Sequence, residues 1–119
     1  MKALLIAFAA FQVVIGVLLW FAPGFFFEEI GPYGTRNDHY MGDLATWYLA
    51  SGAALAAAVA RPAWRVPVLF LVAVQYALHS VNHLIDVGET DPGWLGPFNL
   101  VSLALATVLL VWMLREAAR

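Results

Sequence analysis

Four long apolar stretches alternate with short polar segments along the chain. A helix that crosses a bilayer needs about 20 predominantly apolar residues. The pattern therefore predicts four membrane-spanning helices, at about residues 3–21, 38–60, 66–87 and 96–114. Proline and glycine mark the breaks between them, because proline cannot continue the helical hydrogen-bond ladder.

The composition supports this pattern, with 63% hydrophobic and 12% charged residues and a mean hydropathy of +0.80. Soluble domains average about 45–50% apolar and about 25% charged residues. We therefore expect an all-α integral membrane protein whose 119 residues form one transmembrane domain in the lipid bilayer. The lack of cysteine excludes disulfides and thiolate metal sites, and no Lys/Arg patch suggests a nucleic-acid partner.

The first apolar stretch resembles a signal peptide, since Met1 and Lys2 precede it. It is longer than the usual hydrophobic region of about 7–15 residues, and no clean small-x-small cleavage site follows it. We expect a retained first transmembrane helix. After it, the segment Phe25–Ile30 combines three aromatic residues with two acids, which indicates a short segment lying at the membrane interface.

Packing between the helices is predicted from one polar side chain and from small residues. Gln12 lies in the middle of the first helix, where we expect it to form an interhelical hydrogen bond. Small residues recur every fourth position in the second helix, a spacing that allows close helix packing in lipid; they are Ala50, Gly52, Ala54, Ala56 and Ala58.

The charged residues predict the orientation. The N-terminus, the turn between the second and third helices and the C-terminal tail carry five cations and one acid. The other two loops and the helix ends beside them carry seven acids against Arg36 alone. The positive-inside rule then predicts a multi-pass cell-membrane protein with both termini in the cytoplasm, N-in and C-in.

The candidate chemistry is concentrated in two short motifs that hold all three histidines. His39 and Asp43 are one turn apart at the start of the second helix, and His79, His83 and Asp86 lie near the end of the third. A spacing of four places two side chains on one helical face. Antiparallel neighbouring helices would bring all five residues together near the outer face of the bundle.

Three imidazoles and two carboxylates predict a metal site formed by His39, Asp43, His79, His83 and Asp86. Such ligands suit zinc, iron, manganese or copper. Three alternatives stay open: a hydrogen-bonded polar cluster that fixes helix register, b-type haem held by one histidine from each helix, and a proton relay or ligand cavity without metal.

The motifs Asn37-x-His39-x-x-x-Asp43 and His79-x-x-x-His83 also resemble those of small actinobacterial four-helix membrane proteins that are DoxX-like in layout. The Phe-rich loop with Gly and Pro before the first motif is similar too. The resemblance implies a four-helix fold and a third histidine three residues after the second. This chain has Asp86 there, which exchanges one metal-ligating side chain for another.

Two functions follow as hypotheses. The first is a metal-binding membrane protein, including a small metalloenzyme acting on a membrane-soluble substrate. The second is an accessory or assembly subunit whose polar cluster is structural and whose second helix binds a partner membrane protein. Both leave homo-oligomerisation open. No nucleophile–base pair, phosphate loop or dinucleotide fingerprint is present, so no catalytic residue is predicted.

Overall fold

The computed structural model describes all 119 residues, and the chain folds into helices without a β-strand. The elements are α1 (Lys2–Phe21), α2 (Pro23–Glu29), α3 (Asp38–Ala60), a 3-10 turn (Pro62–Trp64), α4 (Arg65–Ile85) and α5 (Leu95–Ala117). Four of the helices, α1, α3, α4 and α5, are long and apolar enough to cross a membrane. The all-helical class and the four long helices are therefore confirmed. The chain divides into a first unit, Met1–Val68, and a second unit, Leu69–Arg119.

The break between α1 and α2 is made by proline. α1 ends at Phe21, and the backbone N–H of Ala22 donates the last hydrogen bond to the carbonyl of Leu18 at 2.8 Å. Pro23 has no N–H to donate, but its fixed backbone angle suits the first position of a new helix. The predicted interfacial segment is accordingly a short helix, α2, that starts directly after α1.

The first unit is organised by the packing of α1 against α3. Each helix buries one stripe of residues that lie mainly three or four positions apart, which is the pattern of a helix–helix contact. We call these two stripes the α1–α3 seam. Its α1 residues are Leu5, Ala9, Gln12, Gly16 and Leu19, and its α3 residues are Ala45, Tyr48, Ser51, Gly52, Leu55 and Ala58.

Two glycines bring the helices of the seam close together. A methyl group on Gly16 would lie 2.8 Å from Cγ and 3.1 Å from the backbone nitrogen of Leu49. One on Gly52 would lie 2.9 Å from Cγ2 of Val13 and 3.2 Å from the carbonyl oxygen of Ala9. Later residues of α3 meet earlier residues of α1, so the helices are antiparallel. The predicted close packing of small residues is thus present at Gly52.

In the second unit, the ends of the helices differ from the prediction by two or three residues. α4 ends at Ile85 rather than at residue 87, because the N–H of Glu89 bonds the carbonyl of Asp86 at 3.0 Å in a turn. α5 continues to Ala117 rather than ending at residue 114. The charged tail that begins at Arg115 is therefore mostly helical, since Arg and Glu are good helix formers.

The loop between α4 and α5 is fixed by Thr90, a buried polar residue. Its hydroxyl donates to the carbonyl of Pro92 at 3.2 Å and accepts from the backbone N–H of Gly96 at 2.9 Å. A side chain on Gly96 would collide with the carbonyl of Val87. The start of α5 is thereby held against the end of α4.

Candidate functional site

The first motif lies at the capped start of α3. The side-chain oxygen of Asn37 accepts hydrogen bonds from the backbone N–H groups of His39 at 3.1 Å and Tyr40 at 3.2 Å. A side-chain cap of this kind satisfies donors that have no partner within the helix. Asn37 therefore fixes the point at which the face carrying His39 and Asp43 begins.

Arg36 connects the loop before α3 to Asp38 and to α2. Its Nε and Nη2 donate to the two carboxylate oxygens of Asp38 at 2.6 and 2.9 Å. This hydrogen-bonded carboxylate raises the pKa of the Arg36 guanidinium. A methyl group on Gly24 of α2 would lie 2.8 Å from Nη1 of Arg36, so the arginine packs directly on α2.

His39 and Asp43 face each other across one turn of α3, as the sequence predicts. The Nε2 atom of His39 lies 3.6 Å from Oδ2 of Asp43. The two side chains are 81% and 67% exposed. An exposed pair of this kind contributes little to stability, and both side chains are open to solvent or to a ligand.

The second motif forms a closer pair on α4. The Nε2 atoms of His79 and His83 lie 3.1 Å apart, and the ring centroids lie 4.7 Å apart. Both side chains are half-buried. With neutral rings, one Nε2–H donates to the other Nε2, and the tautomers must differ for that bond to form.

Two buried polar atoms on this face of α4, one of them in the pair itself, have no hydrogen-bond partner. They are Nδ1 of His79 and Oε1 of Gln75. The first is a donor whenever it carries the ring proton, and the second is always an acceptor. Residues 75, 79 and 83 occupy one face of α4, because each follows the previous one by four positions.

A hydroxyl pair links α4 to α5 next to the histidines. Ser80 Oγ and Thr107 Oγ1 lie 3.3 Å apart. Each hydroxyl also donates to a carbonyl one turn earlier in its own helix, Ser80 to Tyr76 and Thr107 to Leu103. The pair cannot be found from the sequence, because serine and threonine in apolar helices carry no pattern that reveals their partner.

Asp86 follows the last residue of α4 and is half-buried. Its backbone N–H donates to the carbonyl of Asn82 at 3.1 Å. Within each unit, no three His, Asp or Glu side chains come together in an arrangement that would hold a metal ion. The structure thus forms two local pairs, His39 with Asp43 and His79 with His83. The five-residue metal site stays a prediction.

Comparison with known proteins adds no identification. No protein-family model, no curated protein and no solved structure matches this chain.

Proposed function

We propose that this chain is an integral membrane protein with four spanning helices, both termini in the cytoplasm, and a metal-binding site built around His79 and His83. The length and apolar character of α1, α3, α4 and α5 support membrane insertion. The excess of cations in the termini and the α3–α4 turn supports the orientation.

The observation that carries the metal proposal is the 3.1 Å separation of the His79 and His83 Nε2 atoms. Two nitrogens that each lie about 2.0–2.1 Å from one tetrahedral zinc ion are about 3.3 Å apart. The two imidazoles therefore need little movement to share an ion. Zinc, iron, manganese and copper all accept imidazole, and a hard oxygen-preferring cation such as Mg²⁺ is disfavoured.

Gln75 supports the same proposal. An imidazole that binds a metal through Nε2 carries its proton on Nδ1, and such an N–H normally donates to a second group. In His79 this atom is buried and has no partner. The Gln75 Oε1 atom lies one turn earlier and also has no partner. A rotation of the Gln75 amide would let this oxygen accept the hydrogen bond from Nδ1 of His79.

The remaining ligands of the proposed shell come from Asp86, His39, Asp43 and water. A bound ion would lower the pKa of a coordinated water, which supplies a nucleophile near neutral pH. A small metalloenzyme acting on a membrane-soluble substrate fits this chemistry. No residue is assigned a catalytic role.

A second candidate function is supported by α3. Thr46, Ala50 and Ala53 continue the face of His39 and Asp43, and all of them are exposed. Small exposed residues at spacings of three and four allow the close approach of another helix in lipid. This face suits an accessory subunit that binds a partner membrane protein, in which case the His79–His83 pair is a structural hydrogen bond.

The metal proposal is tested by elemental analysis of protein purified in mild detergent from metal-replete cells. We expect near-stoichiometric metal in the wild type and none in His79→Ala/His83→Ala. Acid or a chelator should release the metal, because protonated imidazole cannot bind it. We expect Gln75→Leu to keep the site with about 10–100-fold weaker affinity.

The matched control is the pair on the other motif, His39→Ala/Asp43→Ala. If this variant also loses the metal while its unfolding curve is unchanged, the shell includes α3. If it keeps the metal, α4 alone supplies the required histidines. Stoichiometric metal in His79→Ala/His83→Ala, or no metal in the wild type, would overturn the proposal and favour the accessory subunit.

A further inference from the structure

The end of the first unit that holds the start of α1 and the end of α3 is positively charged. The antiparallel packing of α1 and α3, shown by the contacts at Gly16 and Gly52, places Lys2 at the same end as Arg61. Arg65 follows one turn later, at the start of α4. None of these three cations takes part in the ion pairs Arg36–Asp38, His39–Asp43 and Arg119–Glu116.

Two local contacts hold the arginines. The guanidinium of Arg61 lies 5.4 Å from the ring centroid of Trp64, within the range of a cation–π interaction. The Nε atom of Arg65 donates to the carbonyl of Ala58 at 3.2 Å. This bond uses Nε alone, and no carboxylate pairs with the two terminal nitrogens of Arg65. Each arginine is thus positioned by a neutral group and keeps its charge uncompensated.

Apolar surface adjoins these cations. Ile6, Trp64 and Val66 are 55%, 45% and 39% exposed. Ile6 follows Lys2 by one helical turn, and Val66 follows Arg65 directly. Inorganic phosphate would use only the cations, whereas a phospholipid presents an anionic head group and an apolar chain to the same surface.

We propose that Lys2, Arg61, Arg65 and Trp64 form a binding site for the head-group phosphate of an anionic phospholipid. Guanidinium groups bind phosphate oxygens through paired N–H donors, and tryptophan is favoured at the level of the head groups. The inference depends on the membrane insertion proposed above and is independent of the metal site.

The test is native mass spectrometry of the purified protein with equimolar phosphatidylglycerol and phosphatidylcholine of matched acyl chains. We expect the wild type to retain phosphatidylglycerol preferentially. Each arginine near an anionic lipid is worth about a fivefold change in affinity. Arg61→Gln/Arg65→Gln should therefore lose most of the preference, and Trp64→Leu should lose a smaller part.

The matched control, Arg115→Gln/Arg119→Gln, also removes two positive charges and is expected to keep the preference. An equal loss of the phosphatidylglycerol preference in both double variants would show that positive charge anywhere on the protein causes it, and would overturn the site. So would displacement of the lipid by equimolar inorganic phosphate, or the absence of any preference in a wild type that unfolds normally. Recovery of the protein from cells without detergent would instead refute membrane insertion, and this inference with it.

Discussion

At the scale of single residues, Gln12 shows how a polar group can be buried without being satisfied. Its side chain is wholly buried in the α1–α3 seam, and neither its Nε2 nor its Oε1 has a hydrogen-bond partner. The expected interhelical hydrogen bond is therefore wrong. Ser51 on the facing helix is also buried, but it donates to the carbonyl of Trp47 at 2.7 Å. Ser51 finds its acceptor within its own helix, whereas the longer Gln12 side chain has none.

We expect Gln12→Met to stabilise the protein. A buried polar group without a partner costs about 1–3 kcal/mol, and methionine keeps the length of the side chain without its polar atoms. The measurement is thermal unfolding in detergent micelles. Ser51→Ala is the control and is expected to have no stabilising effect, because it removes a group that already has a partner. A loss of stability in Gln12→Met would show that the amide has a partner in the membrane.

At the scale of elements, α1 and α3 form the one long helix–helix contact of the first unit. The contact combines wholly buried leucines, such as Leu19 and Leu55, with small residues where the two backbones come closest. At Gly52 the neighbouring atoms include the backbone oxygen of Ala9, which cannot move without shifting α1 itself. Overpacking at such a position is destabilising because the helices must separate.

We expect Gly52→Ala to destabilise the protein by about 1–3 kcal/mol. Gly42→Ala in the same helix is the control, because no atom lies within 4 Å of the added methyl group. Alanine is favoured over glycine in a helix by about 0.5–1 kcal/mol, so this variant should be neutral or more stable. Chemical denaturation in detergent measures both. Equal effects of the two substitutions would contradict the close contact in the seam.

At the scale of the whole molecule, the charge distribution leads to the proposed orientation. Arg36 is the only cation among the residues assigned to the outer side, and it is already paired with Asp38. The cations Arg61 and Arg65 in the α3–α4 turn have no carboxylate partner. Short basic loops are retained in the cytoplasm during insertion, so the turn and both termini are expected on that side.

The orientation can be measured with single cysteines, because the chain has none of its own. Thr35→Cys and Ala63→Cys each change an exposed residue. We expect a membrane-impermeant maleimide to label the first in intact cells and the second only after permeabilisation. The unmodified chain is the control for background labelling. The reverse result would invert the orientation, and labelling of both in intact cells would contradict a spanning α3.

The elements were predictable where a local signal marks their ends. The predicted range of α3 is the observed one, and that of α1 differs by one residue, because a cap or a proline sets the boundary. α5 extends past its prediction, since helix formation continues beyond the apolar stretch. The His79–His83 contact was also predictable, because the helix itself places residues four apart together.

Contacts between elements were less predictable. Whether Gln12 finds a hydrogen-bond partner depends on which group lies opposite it on another helix, and periodicity along one helix carries no such information. The same holds for Ser80 and Thr107, which are far apart in sequence and lie 3.3 Å apart. The meeting of His39 and Asp43 with the histidines of α4 is a contact of this kind and stays a prediction.

The two seam glycines also limit which substitutions the chain can accept during evolution. A smaller residue at position 49 would remove the side-chain atoms near Gly16, but the backbone nitrogen of Leu49 would remain 3.1 Å from an added methyl group. No such limit applies to exposed positions of α5 such as Leu105 and Val108. We therefore expect substitutions to be tolerated less often at Gly16 and Gly52 than at these exposed positions of α5.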